Sequence, residues 1–268
     1  MIRVNVAIST WNRDEELDKL LRSLYNQDYT YYDVYVIDNG SVDNTSSVLE
    51  KYTSLFGIDR FHYTILDKPH PNAMFTLNMA FKQSSGEYIL VLDDDALLTQ
   101  FNTISKLVEV LDAHKNCAIV GCNVRDWNNN VTMGIKDINF NASDYTDISN
   151  DDVFEYNDFC GACALFRRSM ISQVGYYDES FVLYWNEPDI ALKCVSNGWN
   201  VLLHSKVIVN HGSMKGRKPC RGLYHAIKNG ARVLNRNLQL RQRIFVVNLR
   251  FQITRFFYLL SACDDVGR

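Results

Sequence analysis

Glu87-Tyr-Ile-Leu-Val-Leu-Asp-Asp-Asp-Ala-Leu-Leu98 is the stretch on which the reading of this chain turns. An unbroken apolar run of strand length that ends in Asp93, Asp94 and Asp95 reads as a buried parallel strand delivering carboxylates to the edge of a sheet. Three adjacent carboxylates repel, raising one another's pKa or splaying the loop, and a divalent cation bridging the outer pair through oxygen relieves them. A solvated acidic turn capping the next helix is the other reading of the same residues. The flanking segments have to decide.

On the N-terminal side, Val4 to Ser9 is a short strand, and Thr10-Trp-Asn-Arg-Asp-Glu-Glu16 is a turn with acids in a first helical turn. Leu17, Leu20, Leu21 and Leu24 follow at helical spacing. Tyr32 to Ile37 and Phe61 to Leu66 read as further strands, with helices over 46–52 and 72–84. On the C-terminal side come a helix over Thr103 to Asp112 and a strand over Cys117 to Val124. Residues 125–157 are rich in Asn and Asp, without periodicity, and read as irregular loops or a peripheral hairpin. Phe159 to Phe166 is apolar, with Gly161 where a backbone or ligand approaches closely. Arg167 to Val174 should be a short helix closed by Gly175, and Ile190 to Ser196 another. Val201 to Leu203 and Val207 to Val209 are two short strands leading into Asn210-His211. Alternating strands and helices imply βαβ units, a parallel sheet and ligands at the carboxyl ends of its strands, where Asp38 and Asp93 to Asp95 sit.

With 268 residues and 47% hydrophobic content, the chain is long enough to bury a full core. Met1 to Ser9 already reads as strand, so neither a signal peptide nor an N-terminal anchor is expected, and the protein is expected in the cytoplasm. Seven scattered cysteines fit reduced thiols. Cys160-Gly-Ala-Cys163 has the spacing of a redox or half-zinc pair, but no second pair or nearby His completes a tetrahedral site.

The net charge of −3 conceals an asymmetry: residues 1–189 carry 14 basic against 29 acidic side chains, and residues 190–263 carry 13 basic and no acidic one. Such a tail is expected to meet something anionic. From Leu223 onward apolar residues interleave with basic ones, and Ile244 to Leu260 is strongly apolar with Arg250 and Arg255 embedded. A spanning helix needs about twenty mostly uncharged residues, so this segment reads as a helix lying on a membrane surface, closing the core, or forming a homodimer face.

Six segments together resemble the family 2 glycosyltransferases, nearest the rhamnosyltransferase and galactofuranosyltransferase branch. They are Ser9 to Arg13, Val36 to Thr45, Leu92 to Asp95, Cys160 to Arg168, Gly175 to Glu179 and Tyr184 to Asp189, in family order over roughly residues 3–215. The resemblance implies an α/β GT-A fold, Rossmann-like with a mostly parallel sheet flanked by helices. Residues 1–215 would be the catalytic domain, with a nucleotide-binding part at 1–100 and an acceptor part at 101–215. Residues 216–268 would be a basic, amphipathic helical extension.

It also implies an inverting transfer, with Mn²⁺ or Mg²⁺, from a UDP- or dTDP-sugar to a hydroxyl of a glycan or lipid-linked saccharide, as in bacterial surface polysaccharide synthesis. Peripheral contact with the inner face of the membrane would run through the extension, and no nucleic-acid partner is expected. Asp95 would bind the metal, Asp93 the ribose or a metal-bound water, with Asp94 between them, and His211 would complete the shell. Asp38 would hold the nucleobase, its alternative being an Asx-turn; Thr10 and Trp11 would line the base pocket with Arg13 nearby, and Asn78 would match a donor-side Asn. Where relatives often carry a Gly-rich loop, Asp67 to Ala73 has two prolines instead.

A sugar hydroxyl loses its proton as it attacks, and one carboxylate opposite the leaving group suffices. Glu187 stands where the family has its basic Asp. Asp189 is expected as a structural or acceptor contact, Tyr184 and Trp185 as a flat platform for a sugar face, and Gly161 as an acceptor-side close approach. The rivals are a sugar nucleotidyltransferase, a non-catalytic sugar-nucleotide or glycan-binding module, and a transferase acting on a small aglycone.

Overall fold

The computed structural model describes residues 1–126, 131–133, 146–149, 152–181, 184–212, 228–233 and 236. In chain order the elements are β1 (Val4–Thr10), α1 (Asp14–Tyr25), β2 (Tyr32–Asp38), α2 (Thr45–Phe56), β3 (Phe61–Ile65), α3 (Ala73–Gln83), β4 (Tyr88–Asp93), β5 (Ala96–Leu98) and α4 (Thr103–Ala113). Then follow β6 (Cys117–Arg125), β7 (Val131–Met133), β8 (Thr146–Ser149), β9 (Val153–Glu155), β10 (Cys163–Arg167), a 3-10 turn (Arg168–Met170), α5 (Ile171–Val174), α6 (Asn186–Ser196) and β11 (Asn200–His211).

One sheet runs in the order β3-β2-β1-β4-β10-β6-β11-β9-β8, with β5 paired to β11 and β7 to β6. Its core is parallel: β1 with β2 and β4, β2 with β3, and β6 with β11. Period-two alternation gives it two buried faces. Val4, Val6 and Ile8 of β1 pack with Leu17, Leu20, Leu21 and Leu24 of α1, while Ala7 faces Leu77 and Phe81 of α3 on the other side. Each of these side chains larger than Ala contributes roughly 1.5–3 kcal/mol on burial.

Three sequence expectations change here. The sheet is not built of βαβ units throughout, because β10 runs antiparallel between β4 and β6. An apolar run buried on both faces carries no signal of its direction. The two short strands expected over 201–209 are one strand, Asn200–His211, with an irregularity between His204 and Ile208. The helix expected from Ile190 starts at Asn186, since Pro188 sits in its first turn, where no intrahelical N–H is required.

The peripheral hairpin expected within 125–157 is present as β8 against β9. Of the extension 216–268, only 228–233, which are helical, and 236 are described, so the apolar segment Ile244 to Leu260 lies outside the described residues. Among the described residues no helix is long and apolar enough to cross a membrane.

Candidate active site

Parallel register puts the ends of β1, β2 and β4 side by side: Thr10 pairs with Asp38 and Ser9 with Asp93. The loops leaving β1 and β2 are zipped together. Asn12, in the left-handed region at φ 52°, donates its N–H to Ser41 Oγ at 2.8 Å, and Val42 N–H donates to Asn12 Oδ1 at 2.8 Å. Buried Asp38 accepts from Ser41 N–H (3.0 Å) and Ser41 Oγ–H (2.6 Å) through Oδ1, so the Asx-turn weighed above is present. Trp11 at the rim is 52% exposed.

The proline-bearing loop packs on Gly40, whose φ is 75°; a Cβ there would lie 3.0 Å from Leu66 O and 3.2 Å from Pro69 N. Asn39 and His70 exchange two hydrogen bonds, of 2.9 and 2.7 Å, and fix that loop from the other side. Asn78 is buried, and both donors of its amide are engaged, by Tyr177 O at 3.0 Å and Glu179 Oε1 at 2.9 Å. It therefore ties α3 to the 177–179 loop.

β5 is the element that completes the acidic cluster. It pairs antiparallel with the end of β11, setting His211 opposite Ala96 and hence beside Asp95. His211 Nε2 lies 3.2 Å from Asp93 Oδ2 and 2.9 Å from Asp95 Oδ1. Burial disfavours the imidazolium, but hydrogen bonds to Asp93 and Asp95 and their charges outweigh it and lift His211 to about 10. Arg13 Nη1 covers the other side of the triplet, 2.6 Å from Asp95 Oδ2 and 3.1 Å from Asp94 Oδ1. Asp94 is the buried member; burial, against the pull of Arg13, pushes it up to about 7. Asp95, though burial opposes it, is held below the usual carboxylate range by His211 and Arg13. Gly212 leaves room for this arrangement, for a Cβ there would lie 2.8 Å from Asp95 Oδ2.

Asp93, Asp95 and His211 offer ligand atoms all within 4.8 Å of one another, the one such cluster among the described residues. Neighbouring ligands around an octahedral ion at 2.0–2.1 Å stand roughly 3 Å apart, so the contacts His211 makes with the two carboxylates are of the size a small hard cation needs.

Glu187 stands on the first turn of α6 with its carboxylate over Gly161, where a Cβ would lie 2.7 Å from Glu187 Oε1. Buried Tyr177 lies in the field of both halves: burial first, then Glu187 and Asp93, push its hydroxyl well above the tyrosine range. Asp189 is 1% exposed and ion-paired to Lys193 at 2.6 Å, a structural place. Tyr184 is buried and Trp185 half-buried, and both have positive φ. Ser41, Tyr177 and Gly212 were given no role from the sequence, although Ser41 and Tyr177 lie in two of the six resembling segments and Gly212 directly follows His211.

A family model described as Glycosyl transferase family 2 matches residues 5–175. The poly(ribitol-phosphate) beta-N-acetylglucosaminyltransferase TarS of Staphylococcus aureus is 28% identical over 116 residues, 42% of this chain and 20% of that protein. The GalNAc(5)-diNAcBac-PP-undecaprenol beta-1,3-glucosyltransferase of Campylobacter jejuni is 34% identical over 97 residues, 35% of this chain and 30% of that protein. This chain thus spans about a fifth to a third of those relatives. Among solved structures, TarS 1–349 in complex with UDP superposes with a TM-score of 0.65 at 18% identity, covering 87% of this chain and 66% of that one. The mannosyltransferase PcManGT of Pyrobaculum calidifontis, in complex with GDP-Man and Mn²⁺, gives 0.64 at 17% identity over 100% and 76%. The fold is GT-A, and the chain belongs to glycosyl transferase family 2.

Proposed function

We propose that the chain catalyses inverting, metal-dependent transfer of a sugar from a UDP- or dTDP-sugar to a hydroxyl of a surface glycan built on a lipid carrier. The observation that carries this reading is the pair of chemically different groups that Tyr177 feels together, the cluster of Asp93, Asp95 and His211 and the Glu187 carboxylate over Gly161. In this reading Asp38, through the carboxylate oxygen that Ser41 leaves free, and Trp11 hold the nucleobase, and Arg13 lies within reach of the diphosphate. Asp93, Asp95 and His211 hold a divalent cation, Mn²⁺ or Mg²⁺, which as a Lewis acid neutralises charge on the departing diphosphate. Glu187 takes the proton from the attacking hydroxyl, and one displacement by that hydroxyl inverts the anomeric centre. Asn78 acts through the loop it ties.

The relatives described above are named for N-acetylglucosamine, glucose and mannose transfer, so UDP-hexoses come ahead of rhamnose and galactofuranose donors for testing. The undecaprenol-linked saccharide in the name of the Campylobacter relative agrees with a lipid-linked acceptor and peripheral contact with the inner membrane face through 216–268. Thermal shift against UDP- and dTDP-sugars, with and without Mn²⁺, tests the donor side. A ligand at 100 times its Kd adds about 2.7 kcal/mol, and a panel that produces no Mn²⁺-dependent shift refutes the reading.

A further inference from the structure

Tyr184 and Trp185 are consecutive residues in the left-handed region, at φ 62° and 69°. Bulky side chains are strained there and stay only where their surroundings over-determine them. The turn they form is the entrance to α6: Trp185 caps the helix, and Glu187 stands two positions on.

The contacts that hold this turn come from the far end of the chain. The Asn229 amide donates to the Tyr184 carbonyl at 3.1 Å. Gly230 lies against the Trp185 indole so closely that a Cβ would stand 2.6 Å from Cζ2, 2.7 Å from Cε2 and 3.0 Å from Nε1. Val233 is buried with Phe181 and Leu192, and Trp185 packs beside them. Arg236 pairs with Asp178 at 2.5 Å and reaches within 3.6 Å of Asp189 Oδ1, two residues beyond Glu187 on the same helix. Arg232 and Arg236 both lie over the Phe181 ring. The basic character of this part of the tail is thus matched by two acids of the catalytic body.

We propose that residues 228–233 with Arg236 form a clamp that aims the base, with Gly230 and Asn229 as its positioning residues: by locking Tyr184 and Trp185 they keep the Glu187 carboxylate over Gly161. The contacts just described run to the Tyr184–Trp185 turn, to Asp178 and Phe181, and to α6, which places the clamp on the acceptor half. This rests on the assignment of Glu187 as base.

The test uses the full chain, Mn²⁺, and whichever of UDP-N-acetylglucosamine, UDP-glucose and dTDP-rhamnose the wild type hydrolyses fastest. In hydrolysis a water oxygen bonds to the anomeric carbon, the bond from that carbon to the diphosphate breaks, the nucleoside diphosphate leaves with the electron pair, and Glu187 takes the water's proton. Gly230→Ala is expected to lower kcat at least tenfold, while KM and the calorimetric Kd for UDP with Mn²⁺ change less than twofold. A leucine side chain ends short of the indole atoms the new methyl would strike, so Gly230→Ala with Trp185→Leu should recover at least threefold over Gly230→Ala. Asn229→Ala introduces no clash and should show the same split at about threefold, deciding the matter if Gly230→Ala does not fold. An unchanged kcat, a parallel loss of UDP affinity, or no recovery in the double variant would overturn the clamp while leaving the function standing. A wild type that binds no UDP and hydrolyses none of the three overturns the function and the clamp together.

Discussion

Asp95 and Glu187 are the carboxylates the proposed reaction depends on, yet the chain holds them by opposite means. Asp95 follows a parallel strand buried on both faces, and its neighbours arrive through backbone register: Asp93 beside Ser9, and His211 opposite Ala96. Glu187 stands on a helix entered through two left-handed residues, and the contacts that fix them begin more than forty residues later in the sequence, at Asn229. The proposed donor edge is set by the sheet, which cannot shift one strand without breaking its ladder. The proposed acceptor edge is set by side chains and loops, which can be retuned singly. Donor chemistry should therefore resist small perturbations that the acceptor edge feels.

The largest effect should come from the metal cluster. Asp95→Ala removes the carboxylate shared by His211 and Arg13, and several kcal/mol of charge stabilisation at one decade per 1.4 kcal/mol predicts a turnover loss of about 10³-fold. Calorimetry should show Mn²⁺ binding lost as well. Activity in Asp95→Ala that is indifferent to EDTA would break the distinction between the two edges.

Next in size is Glu187→Gln, which keeps the shape of the side chain and removes its basicity. A fall in kcat of about 10²–10⁴ is expected, with Mn²⁺-dependent UDP binding retained. Near-normal turnover would take the base assignment away.

A matched pair of single methyl groups sharpens the comparison. In Gly161→Ala a Cβ presses on Glu187 at 2.7 Å, and in Gly212→Ala one presses on Asp95 at 2.8 Å. Misplacement of a reacting group by a fraction of an ångström predicts about a tenfold fall in kcat for Gly161→Ala, with donor KM unchanged. Gly212→Ala should instead weaken Mn²⁺ binding and raise donor KM, by about threefold, with acceptor KM unmoved. Steady-state kinetics in both substrates reads the difference, and identical signatures would show that the edges are not separable.

How much of this was legible in the sequence follows the same division. The run Tyr88 to Leu92 announces a buried strand, the leucines of α1 announce their face, and a strand end is where ligands belong, so Asp38 and Asp93 to Asp95 fall together on local pattern alone. His211 was placed by resemblance; the pairing that brings it in depends on β5, three residues too short to show a period. The direction of β10 was hidden for the reason given above. Glu187 was assigned by resemblance, and its helix was expected four residues late because a Pro at position 188 looks like a break. The left-handed turn at Tyr184 and the contacts of Asn229, Gly230 and Arg236 are long-range packing, which no local propensity encodes.

The smallest effect lies where the tail meets the body. Burial raises the Asp178 carboxyl, but hydrogen bonds from Ser180 and the Arg236 guanidinium outweigh it and hold it at about 2. A folded pKa below the unfolded value means the group stabilises the fold above about pH 4, and that contribution is lost as pH falls toward 2. Arg236 is 43% exposed, so solvent screens the pair, and on the order of 1 kcal/mol at pH 7 is the expected size. Asp178→Asn keeps the loop's shape and removes the charge. Denaturation curves should place it below wild type by that amount at pH 7, with the two converging as pH falls from 4 to 2. A constant difference across that window would mean the carboxyl titrates alike in the folded and unfolded chain, and that the ion pair adds nothing to the seating of residues 228–236.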